Sequence, residues 1–127
     1  MPTVTVTLDI KRGLPTPAGY TLATDADNPE RHYCYKFTGG TDGAGNVTCT
    51  EETDIDVNIT GGDYDCQKIS FQSNPGDQFN TSKNGKNGKI KNKKTSNGTF
   101  YYDVRVKDDG DGNSKFTCDP RITNVTP

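Results

Sequence analysis

Apolar and polar residues alternate with a period of two through several short stretches of this chain. Between Thr3 and Ile10, Val4, Val6, Leu8 and Ile10 fall on one side, and Thr3, Thr5, Thr7 and Asp9 on the other. Successive side chains of a strand point to opposite faces, so this pattern predicts a half-buried β-strand. From Thr99 to Val106 the same rule sets Phe100, Tyr102, Val104 and Val106 against Thr99, Tyr101, Asp103 and Arg105. Turn residues bound that run, Asn97-Gly98 before it and Asp108 to Gly112 after it, and it predicts the strand around which the chain is organised. Arg31 to Thr38 places Tyr33, Tyr35 and Phe37 on one face and His32, Cys34 and Lys36 on the other, the aromatic face being the one expected in the core. Ile55, Val57 and Ile59 alternate with Asp54, Asp56 and Asn58. Shorter strands are expected over 20–24, 47–49, 66–72, 115–118 and 121–125. Helical period occurs nowhere.

These elements predict an all-β fold of about seven to nine short strands in one domain, 1–127, built as a two-sheet, immunoglobulin-like β-sandwich. The run Ser96-Asn97-Gly98-Thr99-Phe100-Tyr101-Tyr102 resembles the approach to the sixth strand of immunoglobulin domains. Phe100 stands where the corner tyrosine would be and Tyr102 where the cysteine would be, and the chain has no tryptophan. The likeness therefore bears on architecture rather than on membership. Residues 74–98 break the pattern. They form a long polar, lysine-rich stretch, read as a loop with room for a short strand pair around Phe79 and Ile90, joined at an Asn-Gly turn.

Composition changes the picture in two ways. Apolar residues are only 28% of the 127, but the formal net charge is −2, so the low hydrophobicity reads as a small core with generous loops rather than as disorder. The four cysteines, Cys34, Cys49, Cys66 and Cys118, leave two readings open. They form disulfides in an exported domain, with three possible pairings, or they are free thiols acting as small hydrophobes. The first residues lack a basic region followed by an apolar stretch, which favours a cytoplasmic protein, with export after leader removal as the alternative. No apolar run is long enough to span a membrane.

Four groups of residues could carry chemistry. Lys83, Lys86, Lys89, Lys91, Lys93 and Lys94 occur with no acidic residue between Asp77 and Asp103, a pattern suited to an anionic surface or to a merely solvated edge. Without interleaved arginines or stacking aromatics it argues against specific nucleic-acid recognition. The turn Asp108 to Asn113 offers Asp109, Asp111 and Asn113, with Asp42 from another loop, as calcium ligands. Counted from Asp109, the sixth and twelfth positions are Ser114 and Pro120, where a calcium loop needs Gly and Glu, so a hairpin turn is expected and no metal. Asn-x-Ser/Thr sequons stand at Asn46, Asn58, Asn80, Asn97 and Asn124, as chance alone predicts in a chain rich in Asn and Thr. His32 is the single histidine, and no nucleophile–histidine signature surrounds it. No cofactor motif is present.

The segments Val104-Arg105-Val106-Lys107-Asp108 and Cys118-Asp119-Pro120-Arg121-Ile122-Thr123-Asn124 resemble the end of the DP-EP family of small bacterial β proteins. The likeness covers about a quarter of the chain, and no Glu-Pro dipeptide occurs. It implies a bacterial β protein and brings no activity or site residues with it. The sequence reading is a non-catalytic binding module of unknown ligand, engaging a protein or polyanionic surface through the lysine-rich stretch. The alternative is an exported carbohydrate-binding or adhesion domain using exposed Tyr101. An enzyme is the third class.

Overall fold

The computed structural model describes residues 2–13, 16–25, 30–60, 63–71, 78–84, 86–110, 114–118 and 121–125. Among these, eleven strands form two open sheets, and no helix occurs. The first sheet contains β1 (Thr3–Arg12), β2 (Thr21–Thr24), β3 (His32–Gly39), β5 (Thr53–Thr60), β7 (Phe79–Asn84) and β8 (Asn87–Asn92), in the order β2-β3-β1-β5-β8-β7. The second contains β4 (Val47–Cys49), β6 (Tyr64–Phe71), β9 (Gly98–Asp108), β10 (Ser114–Cys118) and β11 (Arg121–Asn124). β9 is its spine. β6 lies along one edge of β9, and β10 and β11 lie end to end along the other, over residues 104–108 and 98–101 of β9.

The strand count exceeds the seven to nine expected, chiefly because 74–98 is not one long loop. It carries the antiparallel β7–β8 hairpin, closed by a two-residue connection between Asn84 and Asn87. Alternation is weak there because β7 is an edge strand with little to bury. Two pairings are parallel, β1 with β5 and β4 with β11, and nothing in local pattern announces them.

The inner faces share one core. Val6, Leu8, Ile55, Val57 and Ile90 from the first sheet meet Tyr102, Val104, Val106 and Ile122 from the second, all fully buried. Tyr33 stacks on Phe116 at 4.2 Å between centroids, and Tyr64 stands edge-on to both. Phe71 stacks on Phe79 at 4.3 Å and closes the other end. Such burial is the main source of stability in a fold without helices. The Tyr102 hydroxyl is buried with no partner among the described residues, and burial pushes its pKa far up.

Two glycines are set by close approach. Gly40 has φ +71°, and a Cβ there would lie 2.3 Å from the Asn46 carbonyl oxygen. A Cβ on Gly88 would lie 2.6 Å from Ile69 Cδ1 and 3.0 Å from Cys66 Sγ. Gly88 is therefore the gap through which β6 crosses β8, not only half of an Asn-Gly turn signal. A backbone bond from the Cys66 N–H to the Lys86 carbonyl, 2.8 Å, fixes the crossing.

All four cysteines are buried, unbonded thiols, so none of the disulfides considered among Cys34, Cys49, Cys66 and Cys118 is formed in this structure. Cys34 is buried although it lies on the face of β3 opposite Tyr33. Leu22 lies opposite it in register on β2, and its Sγ contacts the Lys11 carbonyl at 3.7 Å. Burial raises the pKa of Cys34 and Cys66, which keeps both as neutral thiols.

Candidate functional site

The hairpin does not gather its six lysines. Lys89 and Lys91 are exposed on the outer face of β8, and in register they stand directly opposite Asp56 and Asp54 of β5. Opposite charges across a strand pair offset one another and stabilise the sheet. With Asn80, Thr81 and Ser82, Asp54, Lys89 and Lys91 line a shallow polar groove of about 360 Å³. Lys83 and Lys86 lie at the tip of the hairpin, and Lys93 and Lys94 at its base. Six residues of strand separate the ends by about 20 Å.

The base is held by a buried clasp of amides. Asn92 Nδ2 donates to Asn124 Oδ1 at 2.7 Å, and Asn124 Nδ2 donates to Gln78 Oε1 at 2.9 Å and to the Ser96 carbonyl at 3.2 Å. Gln78, Asn92 and Asn124 are each at most 1% exposed. The Lys93 N–H donates to the Gln78 carbonyl, and the Lys94 N–H to Asn92 Oδ1. Lys94 sits at φ 52°, a left-handed conformation unusual for lysine, held by that bond. The buried Asn124 side chain leaves its sequon no room for a glycan.

At the tip, Lys83 and Lys68 line one small cavity between β7 and β6, with Gln67, Ile69, Thr81 and Ser82. β6 bulges between Cys66 and Lys68, which returns Lys68 to the outer face. Lys68 then stands opposite Arg105 of β9, and Lys107 of β9 opposite Lys115 of β10. Like charges directly opposite one another are destabilising. Lys107 is relieved by Asp109, 3.2 Å away. Lys68, Arg105 and Lys115 have no ion pair among the described residues. Tyr101 lies on the same outer face, 49% exposed.

The acidic turn serves the fold. Asp108 is fully buried. It accepts two bonds from Arg12, from Nε at 3.0 Å and Nη2 at 2.7 Å, one from the Tyr33 hydroxyl at 2.9 Å, and one from the Gly110 N–H at 3.1 Å. Asp111 and Asn113, two of the candidate calcium ligands, lie outside the described residues. Asp42 is occupied by the Asn46 side chain and the Ala44 and Asn46 amides, which lower its pKa. Among the described residues no group of three or more His, Cys, Asp or Glu side chains could hold a metal.

Asp65 and Asp109 share a hydrogen bond. It raises the Asp65 pKa and lowers that of Asp109, which Lys107 also stabilises as a carboxylate. The folded pair binds fewer protons than the unfolded chain below the ordinary carboxylate pKa and more above it. Its contribution to stability is thus greatest near that pKa and declines in both directions. A carbon-detected NMR titration should show Asp65 losing its proton above the usual Asp range, and Asp109→Asn should reduce the upward shift. A normal Asp65 titration in the unmodified protein would sink this assignment.

His32 is half-buried on β3, with Nδ1 buried and without a partner among the described residues. No helix among the described residues is long and apolar enough to cross a membrane. No protein-family model matches the chain, and no curated protein matches it.

Sequence reasoning picked out Tyr101 and the lysines, but missed Lys68, Arg105 and Lys115. These are scattered over three strands, and only the sheet brings them together. The one available signal was that they alternate with core residues, which puts each on an outer face.

Proposed function

We propose that this chain is a non-catalytic interaction module that engages a protein or polyanionic surface through the lysines of the β7–β8 hairpin. The observation that supports this is the corner at the hairpin tip, where Lys83 lines one cavity with Lys68 and Lys86 follows it in the turn. Cations gathered at one corner attract anions with an affinity that falls as salt rises. Lys89 and Lys91 contribute less, because Asp56 and Asp54 stand opposite them.

On immobilised heparin the protein is retained at low salt and released as salt rises. Lys83→Gln with Lys86→Gln moves release to distinctly lower salt, and Lys89→Gln with Lys91→Gln moves it less. Retention unchanged by all six lysine substitutions would remove the hairpin from this reading.

The second reading, an exported carbohydrate-binding or adhesion-type domain, is favoured by the exposure of Tyr101. We read the two sheets as an immunoglobulin-like sandwich on the strength of their shared core. The bacterial, DP-EP-like reading rests on the sequence of 104–108 and 118–124, of which Val104 and Cys118 stand opposite one another in register.

A further inference from the structure

We infer that the outer face of the second sheet, centred on Tyr101, Arg105, Lys68 and Lys115, is a binding face for an acidic polysaccharide. The inference rests on the reading of the chain as a polyanion-binding module and names its ligand class.

The two outer faces of this protein treat charge differently. On the first sheet the outward lysines of β8 stand opposite aspartates, so that face is locally balanced. On the second, Lys68 stands opposite Arg105 and Lys107 opposite Lys115. An acidic ligand laid obliquely across β6, β9 and β10 would meet Lys68 and Arg105, which stand opposite one another, and Lys115 two residues further along, within about 12 Å. Among the described residues Asp65 stands opposite Lys107, Asp109 pairs with Lys107, and Asp103 lies two residues from Arg105, while Lys68, Arg105 and Lys115 have no ion pair. Lys83 extends the positive surface around the β6 edge towards the hairpin.

The class of anion follows from what accompanies the charge. Tyr101 lies four residues from Arg105 along β9, about 13 Å, and its ring is half in solvent. A half-exposed tyrosine offers a flat apolar face with a polar tip, suited to the ring of a sugar. Beyond it, Thr99 and Thr123 face one another with hydroxyls 3.5 Å apart, and Thr48 stands beside Thr123 on β4. Hydroxyls that both donate and accept suit a ligand that is itself hydroxylated. One exposed aromatic on the face does not provide the succession of stacking platforms that single-stranded nucleic acid uses. The composite of one ring platform, a hydroxyl row and three cations therefore fits a chain of sugars carrying carboxylate or sulfate groups.

The test uses the intact chain with three probes: a heparin-derived hexasaccharide, inorganic polyphosphate, and an oligo-dT strand of similar charge. Amide shifts on addition of the hexasaccharide should map to Lys68, Tyr101, Arg105 and Lys115. Lys68→Gln/Arg105→Gln/Lys115→Gln should weaken its binding roughly tenfold or more. Tyr101→Ala should weaken the hexasaccharide roughly fivefold and leave polyphosphate unaffected, since only a sugar ring uses the platform. These positions face solvent, and amide spectra of each variant verify the fold. Shifts confined to the hairpin, with no effect of the face substitutions, would overturn the inference while the hairpin reading stands. Equal or tighter binding of oligo-dT, or indifference of all three probes to Tyr101→Ala, would overturn the assignment to polysaccharide. No binding of any probe would overturn both readings.

Discussion

Replacing Arg12 by methionine should cost about 3–5 kcal/mol of folding stability, the range for removing one partner of a buried ion pair. Asp108 is fully buried and depends on Arg12 for two of its four hydrogen bonds and for its counter-charge. Arg12 is half-exposed, and its guanidinium also lies 5.8 Å from the Tyr64 ring. Methionine keeps much of the stem, so the loss reports the charge. Asp108→Asn added to Arg12→Met should recover part of the loss, because no charge is then left buried without its partner. Urea denaturation of the two variants checks this. A cost below about 1 kcal/mol, typical of a surface pair, would show that Asp108 is not held as described.

Asn124→Ala should cost about 3 kcal/mol, although the change is small and its position is the last strand. It leaves the Asn92 amide without its acceptor and the Gln78 carbonyl oxygen without its donor, both in a site at most 1% exposed. Each orphaned buried group costs about 1–3 kcal/mol. The effect should be regional as well as global. Lys93 and Lys94 donate their amides to Gln78 and Asn92, so hydrogen exchange at these two positions should accelerate more than in β1. Because the clasp ties β8 of one sheet to β11 of the other, the variant tests whether the sheets are joined there. Unchanged protection at Lys93 and Lys94 would refute that role.

Much of the fold is legible in single strands. Alternation in β1, β3, β5 and β9 names the buried residues, among them Tyr33, Val57 and Val104, because burial of one face imposes a period of two. The same rule placed Tyr101 in solvent. It failed at Cys34, which takes the solvent side by alternation but is buried, with Leu22 of β2 opposite it. It also failed at Asn92 and Asn124. These read as loop and sequon, because a polar side chain gives no sign of burial until its hydrogen-bond partners are known.

The sequence by itself determined the strands outside 74–98, which face of β1, β3, β5 and β9 is apolar, and where turns separate them. These are local properties, set by side-chain alternation and by the backbone freedom of Gly and Asn. Tertiary structure decided the neighbours. Alternation says which way a side chain points and nothing about which strand lies beside it. Only the pairing of β5 with β8 sets aspartates against Lys89 and Lys91, and only the pairing of β6, β9 and β10 brings Lys68, Arg105 and Lys115 onto one face. The charge of a surface depends on such juxtapositions because Coulomb interactions act across space and not along the chain. The lysine-rich stretch, conspicuous in the sequence, is therefore partly offset by aspartates, while Lys68, Arg105 and Lys115 come to one face from three strands that no short window contains.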